Sequence, residues 1–322
     1  VGGAFARLLP GVAATATLTG VLVRDAARDR GDVVPRGCIT TDVPRFLAAL
    51  DDADVLVEAI GGLEPAHTLV TAALHAGKRV VTANKQLVAA RGAEYARLVA
   101  RHGGRLDFEA AVGGGVPIVR ALRDGLAGVG IGRVRGILNG TTNHVLSAAR
   151  CGVPLPDAIA EAQRLGFAEA DPSRDLDGLD AADKLRILAW LAFGVAPHQV
   201  PVEVATFADA PERLREAARD GRVVRQVAEV AETPHGLVAR VALESLAPDD
   251  PLAETPGERN RITVSSRSAG VLVFEGPGAG GDATAGALLA DLRRGGGALP
   301  GPAMVRVAAV TPFHKEESRR RD

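Results

Sequence analysis

The sequence predicts an α/β chain of two domains, with a doubly wound parallel sheet first and an α+β domain after it. Three observations carry this. Short β-branched runs alternate with alanine- and leucine-rich stretches from the amino terminus to Gly113. Beyond that glycine the helical stretches group together, and so do the strands. Finally, 322 residues that are 47% hydrophobic but only 3% aromatic suit two cores built from small aliphatic side chains.

The elements follow in order. A helix is expected over 3–9, strands over 18–24, 54–60, 79–82 and 105–110, and helices over 64–76 and 86–102 between them. Helices near 117–127, 141–149, 157–165 and 179–193 then precede strands near 222–231, 236–245, 261–266 and 270–275. The segment GPGAGGDATAGALLADL, from Gly276, reads as a glycine turn and a helix that return the chain to the first domain. The expected boundaries are therefore 1–116 with 278–295 returning to it, and 117–277. A GGG run, three prolines and a charged end make 296–322 a linker or tail.

The start of the chain departs from this pattern. A doubly wound domain opens on a buried strand, yet this sequence opens at VGGAFARLL, so the first strand is missing from the expected set. With Val1, Gly2 and Gly3 as the end of a G-x-G-x-x-G turn, Val1 and Gly2 fall where cofactor phosphates are held. A bare GG before a helix is also an ordinary turn. Arg24 ends the second strand where an acidic residue would grip the ribose of NAD; an arginine there suits the extra phosphate of NADP.

Composition excludes several classes of function. A formal net charge of -1 supplies no field for nucleic acid or an anionic membrane, which leaves a small-molecule partner. Two cysteines, Cys38 and Cys151, are too few for a disulfide framework and are not spaced as metal ligands, which suits a reducing cytoplasm. The most apolar early stretch, Gly11 to Val23, is broken by threonines and falls short of the roughly 18 apolar residues of a spanning helix. No membrane segment or signal peptide is expected. Lysine stands at only four positions, 78, 85, 184 and 315, among 38 basic residues. Where arginine takes almost every solvated role, a lysine marks a place for a compact ammonium that can give up its proton.

Five motifs could carry chemistry. VLVEAIGG, Val55 to Gly62, ends a strand in two glycines, and VTANKQL presents Thr82, Asn84 and Lys85 at the same edge, where open α/β sheets bind ligands. A plain turn and a solvated lysine are the alternatives. EAAVGGGVPIVRAL, Glu109 to Leu122, sets three glycines beside one carboxylate, so that carbonyls and a carboxylate suit a hard cation, with an interdomain hinge as the alternative. GILNGTTNH, Gly136 to His144, supplies N-caps and exposed amides. The densest constellation runs from Gly166 to Gly194, with acidic residues at 169, 171, 175, 177, 180 and 183 before Lys184. Asp180 and Lys184 are four apart and share a helix face, so the carboxylate would hold the ammonium charged and oriented. Such an ammonium can protonate the alkoxide of an aldehyde under reduction, and Glu169 is a candidate to hold an α-amino group. An acidic loop feeding a core helix through an ordinary ion pair has the same spacing.

Taken in order, VTANK, EAAVGGGVPI, NGTTNH, GFAEADPSRDLDGLDAADKL and GPGAGG resemble homoserine dehydrogenase, over most of the chain from Val1 to about Leu292. The resemblance implies NAD(P)H-dependent reduction of L-aspartate 4-semialdehyde to L-homoserine, a step toward threonine and methionine. It also implies a Rossmann-type NAD(P)-binding domain, a catalytic and dimerisation domain with a mixed sheet, and a homodimer or homotetramer. Position by position, Lys184 is similar to the proposed proton donor, Asp180 to its partner, and Glu169 to the substrate-binding carboxylate. Lys85 matches a lysine beside nicotinamide and substrate, while Gly61, Thr82 and Gly280 join Val1, Gly2 and Arg24 as cofactor contacts. Glu109, with the carbonyls of Val112, Gly114 and Val116, matches a sodium site. Three departures stand beside these matches: the missing first strand and glycines, the stretch 195–220, and RNRITV at 259–264. The ACT regulatory domain of many relatives has no counterpart in this expectation. A non-catalytic or truncated homologue that folds and dimerises but binds cofactor poorly is the alternative.

Overall fold

The protein is described by a computed structural model covering residues 1–12, 16–28, 30, 33–294 and 305–310. It divides into two compact units, Val1–Leu87 with Glu94–Phe108 and Thr284–Asp322, and Val88–Ala93 with Glu109–Ala283. Unit 1 begins with helix α1 (Gly2–Val12), whose Phe5, Ala6 and Leu9 form one buried face. Strands β1 (Ala16–Leu22) and β2 (Ile39–Thr40) follow, then helix α2 (Val43–Leu50), capped by the Asp42 carboxylate, which accepts from the Arg45 N–H at 2.8 Å. All four residues of β3 (Val55–Glu58) are buried, as a parallel strand covered on both faces requires. Helix α3 (Ala66–His75), strand β4 (Arg79–Thr82), helix α4 (Lys85–His102) and strand β5 (Arg105–Asp107) complete the alternation. Asn84 opens α4 by accepting from the Leu87 N–H, and Gly103 closes it in the left-handed conformation at φ 78°, which a residue without a Cβ adopts freely.

Unit 2 opens with the short helix α5 (Ile118–Arg120) running into a π turn, Ala121–Gly125, and strand β6 (Ile131–Ile137). Helices α6 (Gly140–Arg150), α7 (Leu155–Arg164), α8 (Ser173–Leu176) and α9 (Leu179–Phe193) come next, then β7 (Val202–Val204), α10 (Ala210–Arg219), β8 (Val223–Thr233), β9 (Gly236–Leu246), β10 (Arg259–Ser266) and β11 (Gly270–Pro277). The strands form one sheet in the order β11-β10-β6-β8-β9-β7, antiparallel except where β7 lies parallel to β9. Helices α6 and α10 cover one side of it, packing Leu146, Ala210 and Ala217 on Val224 and Leu243.

The chain then re-enters unit 1 within helix α11 (Gly281–Arg293) and ends its described part in strand β12 (Val305–Val310). The sheet of unit 1 is wholly parallel, in the order β2-β1-β12-β3-β4-β5. Here two expectations are corrected. The segment read as linker or tail supplies a strand, and the place beside β1 and β3 where the missing first strand belongs is filled by β12. Apart from the exposed Arg306 its residues are small or β-branched, with Val307 and Ala308 fully buried and Ala308 and Val310 joined to the cluster of Phe46, Leu56 and Leu74. Flanking glycines and prolines had masked that run of six. Residues 296–304 and 311–322, the rest of the expected tail, lie outside the described residues.

Candidate active site

In unit 2 the buried start of α9 carries the densest polar cluster. Lys184 is 8% exposed and Asp180 5% exposed, so both ends of this ion pair are removed from water. The Lys184 Nζ donates to Asp180 Oδ2 at 2.6 Å and to the Leu138 carbonyl at 2.6 Å. An ammonium has three N–H donors, so these two bonds leave one for a substrate oxygen. The Asn139 amide donates to Asp180 Oδ2 at 2.9 Å and to Asp175 Oδ1 at 2.7 Å, while its Oδ1 accepts from the Thr142 N–H and caps α6. Asn260, fully buried on β10, donates to the same Leu138 carbonyl at 3.1 Å. The Lys184 ammonium is thereby held by a carboxylate and a carbonyl that are each held in turn. Buried charge is costly unless paired in this way, and the pairing also fixes its direction. Glu169 stands exposed between α7 and α8; among the described residues, no hydrogen bond links it to Lys184 or Asp180.

In unit 1 the carboxyl ends of β3 and β4 bring Gly61 and Thr82 to one carboxylate, that of Glu58. Its Oε1 accepts from the N–H groups of Ile60 at 2.8 Å and Gly61 at 3.4 Å, and Thr82 Oγ1 donates to Oε2. Gly61 and Gly62 sit at φ 81° and 73°, so the turn after β3 needs residues without a Cβ. Lys85 is half-buried in the first turn of α4. A cation there opposes the helix dipole, so its position is not explained by helix stability. Arg24 is exposed just beyond β1, and the carbonyl of Val1 accepts from Phe5 at the start of α1 beside Gly2. The glycine turns and the cations Arg24 and Lys85 at the ends of parallel strands fit a phosphate-bearing dinucleotide.

Glu109 accepts hydrogen bonds from the chain that follows it. Its Oε1 and Oε2 each accept from a main-chain N–H at the start of α5, those of Val119 and Arg120, both at 2.9 Å, and the Arg120 guanidinium lies at 3.6 Å. The Val116 carbonyl accepts from Ile118 at 2.8 Å, and Gly114 packs against the Gly278 backbone, close to buried Val112. The carboxylate is thus already neutralised by a helix start and an arginine. Glu109, Val112, Gly114 and Val116 thus lie in the eight residues that precede Pro117, and the reaction assigned below takes no step through a cation there. Gly280, at φ 114°, leads into α11 in the glycine turn where it was expected.

The profile described as Homoserine dehydrogenase matches residues 117–292, and that described as Homoserine dehydrogenase, NAD binding domain matches residues 1–109. The chain belongs to the homoserine dehydrogenase family. Among its relatives, the homoserine dehydrogenase of Synechocystis sp. is 40% identical over 84% of this chain and 64% of its own length. That of Corynebacterium glutamicum is 39% identical over 93% and 70%. This chain therefore spans about two thirds of the length of those relatives. Among solved structures, a homoserine dehydrogenase from Thiobacillus denitrificans aligns with a TM-score of 0.83 at 33% identity, covering 97% of this chain and 77% of that one. A hyperthermophilic archaeal homoserine dehydrogenase in complex with NADPH aligns with a TM-score of 0.67 at 31% identity, covering 77% and 73%.

The sequence named Lys184 and Asp180 of this cluster but did not single out Asn139, Asp175, Asn260 or Glu58. The signal for Asn139 was partly present, since NGTTNH was read as a source of N-caps. Its second task gives a test. Asn139→Ser retains a hydroxyl able to cap α6 but loses the amide that spans two carboxylates; Asn139→Ala loses both. Both variants should lower turnover by about tenfold, the worth of one hydrogen bond to a charged group, while only the alanine variant loses a further ~1 kcal/mol of stability. Paired kinetics and thermal melts check this. Equal stability in the two would show that capping is not part of the Asn139 contribution.

Proposed function

We propose that this chain catalyses the NAD(P)H-dependent reduction of L-aspartate 4-semialdehyde to L-homoserine, a step of threonine, methionine and isoleucine biosynthesis. The observation that carries the proposal is the buried Lys184 ammonium, bonded at 2.6 Å to both Asp180 and the Leu138 carbonyl with one N–H left over. When bound, the nicotinamide supplies the hydride that adds to the aldehyde carbon. Lys184 gives its proton to the aldehyde oxygen, so that hydride and proton together make the alcohol. Asp180 and the Leu138 carbonyl orient the ammonium for that transfer. Glu169, exposed on its loop, is assigned the substrate α-amino group, and Lys85 the neighbourhood of the nicotinamide and substrate. Val1, Gly2, Gly61, Thr82 and Gly280 are assigned to the cofactor, with Arg24 favouring NADP over NAD.

A homodimer or homotetramer belongs to the same reading, supported by Val238, Val271 and Val273, which expose apolar surface on the sheet of unit 2. Two free cysteines suit a reducing cytoplasm. No described helix is long and apolar enough to cross a membrane. No observation favours the non-catalytic alternative.

The test is direct. Purified chain is mixed with L-aspartate 4-semialdehyde and either NADPH or NADH, and cofactor oxidation is followed by absorbance. Consumption of NADPH in preference to NADH is the expected result, with homoserine as the product. A folded chain that oxidises neither cofactor would refute the proposal.

A further inference from the structure

Glu58 is fully buried at the end of β3 and has no part in the proton transfer assigned to Lys184. No arginine or lysine is bonded to it among the described residues; four neutral donors surround it instead. Besides Ile60, Gly61 and Thr82, the Asn84 amide reaches Glu58 Oε1 at 3.4 Å. The same amide donates to the Gly62 carbonyl at 2.7 Å, and the Asn84 N–H donates to Thr82 Oγ1 at 3.0 Å. Asn84 also caps α4 immediately before Lys85. One carboxylate therefore ties together the glycine turn after β3 and the Thr82–Lys85 segment after β4.

This arrangement is expensive for what it holds. Burial pushes the Glu58 carboxyl up from the usual carboxylate range, against the opposing pull of its four donors. A neutral side chain could fill a strand end at lower cost, so stability alone does not account for an acid here. What it secures is the shape of two loops at the edge where doubly wound sheets bind ligands. Strand order says which half of a dinucleotide they would meet. Arg24, the candidate for the adenosine end, follows β1 on one side of β12, whereas β3 and β4 lie on the other side. The two mononucleotide halves of such a sheet divide at that point, which leaves the nicotinamide half to the loops after β3 and β4.

We propose that Glu58 is a positioning residue for the cofactor, holding the Ile60–Gly62 turn and the Thr82–Lys85 segment in the one arrangement that receives the nicotinamide half of the dinucleotide. The proposal rests on the reading of the chain as an NAD(P)-dependent enzyme. Glu58→Gln keeps the volume and one acceptor oxygen, and its amide still bonds to Thr82 with the donor reversed, but it removes the carboxylate charge that strengthens every one of these bonds, so the two loops are held less tightly while the strand stays packed.

Two measurements are made on the intact chain: NADPH affinity by titration calorimetry, and steady-state kinetics with NADPH and L-aspartate 4-semialdehyde. Glu58→Gln should raise the Kd and KM for NADPH by about tenfold, the usual worth of a hydrogen bond to a charged group, and leave the KM for the semialdehyde unchanged. Thr82→Val, which cuts one arm only, should move the same parameters in the same direction by less. An unchanged NADPH Kd in a folded Glu58→Gln chain overturns the proposal, as does an equal rise in both KM values. Failure of the underlying reading looks different, because the unsubstituted chain would then bind no NADPH in the calorimeter.

Discussion

Lys184→Ala should lower turnover by roughly 10²–10⁴-fold, the range for loss of a positioned general acid, in a chain that still folds. The lysine is the point on which the Asp180 carboxylate and the Leu138 carbonyl converge, and alanine leaves Asp180 without its cation. Breaking a buried pair from one side costs about 3 kcal/mol or more, so stability will fall as well. Lys184→Arg separates the two losses. A guanidinium keeps a positive charge beside Asp180 but does not release a proton near neutral pH, so this variant should recover stability without recovering turnover. Circular dichroism and kcat measured on both variants make the comparison. If Lys184→Arg or Lys184→Ala turns over at the rate of the unsubstituted chain, the lysine is not the proton donor.

Ala308→Asp should unfold unit 1 while sparing unit 2. Ala308 is fully buried in β12, opposite Gly20 of β1 on one side and Leu56 of β3 on the other. A carboxylate there meets Phe46, Leu56 and Leu74 with no cation among that cluster. An unpaired buried charge costs more than about 4 kcal/mol, a large part of the 5–15 kcal/mol that holds a typical domain together. Hydrogen exchange should show the amides of β1 and β3 losing protection, while those of β8 and β9 keep theirs. Arg306→Ala on the same strand is the control, because Arg306 is exposed and its ion pair with Asp54 is a surface one. Retained protection of β1 and β3 in Ala308→Asp would mean that β12 is not an integral member of that sheet.

How much of this could be read from residues depends on how local the cause is. Strands β3 and β4 and helices α3, α4 and α9 follow from periodicity, because each places its apolar residues on the side its neighbours cover. Helix α2 was missed although Asp42 caps it, since eight residues give too few repeats to show a period. The expected strand over 105–110 stops at Asp107, because Glu109 begins a tight helical turn and its carboxylate bonds to the start of α5. The Lys184–Asp180 pair was legible because helix geometry alone brings residues four apart together. Asn139 was not, since it reaches Asp175 and Asp180 across separations of 36 and 41 residues. Glu58 fell inside the expected strand over 54–60; only the folded loops reveal that β3 ends there and that two turns depend on it.

Strand β12 also sets an order of assembly. Thr19 of β1 bonds to Val307 across 288 residues of sequence, so the ribosome makes β1 and β3 long before the strand that joins them. Unit 2, by contrast, has all the strands of its sheet once Pro277 has been made. Closing so long a loop costs about 3 kcal/mol more in entropy than closing one of about ten residues, and such pairings form slowly. During that interval β1 and β3 each present an unpaired edge, the surface on which strands of other chains add. Unit 1 is therefore the part of this chain whose strand edges wait longest for a partner, and the yield of folded protein should depend on how long those two edges wait.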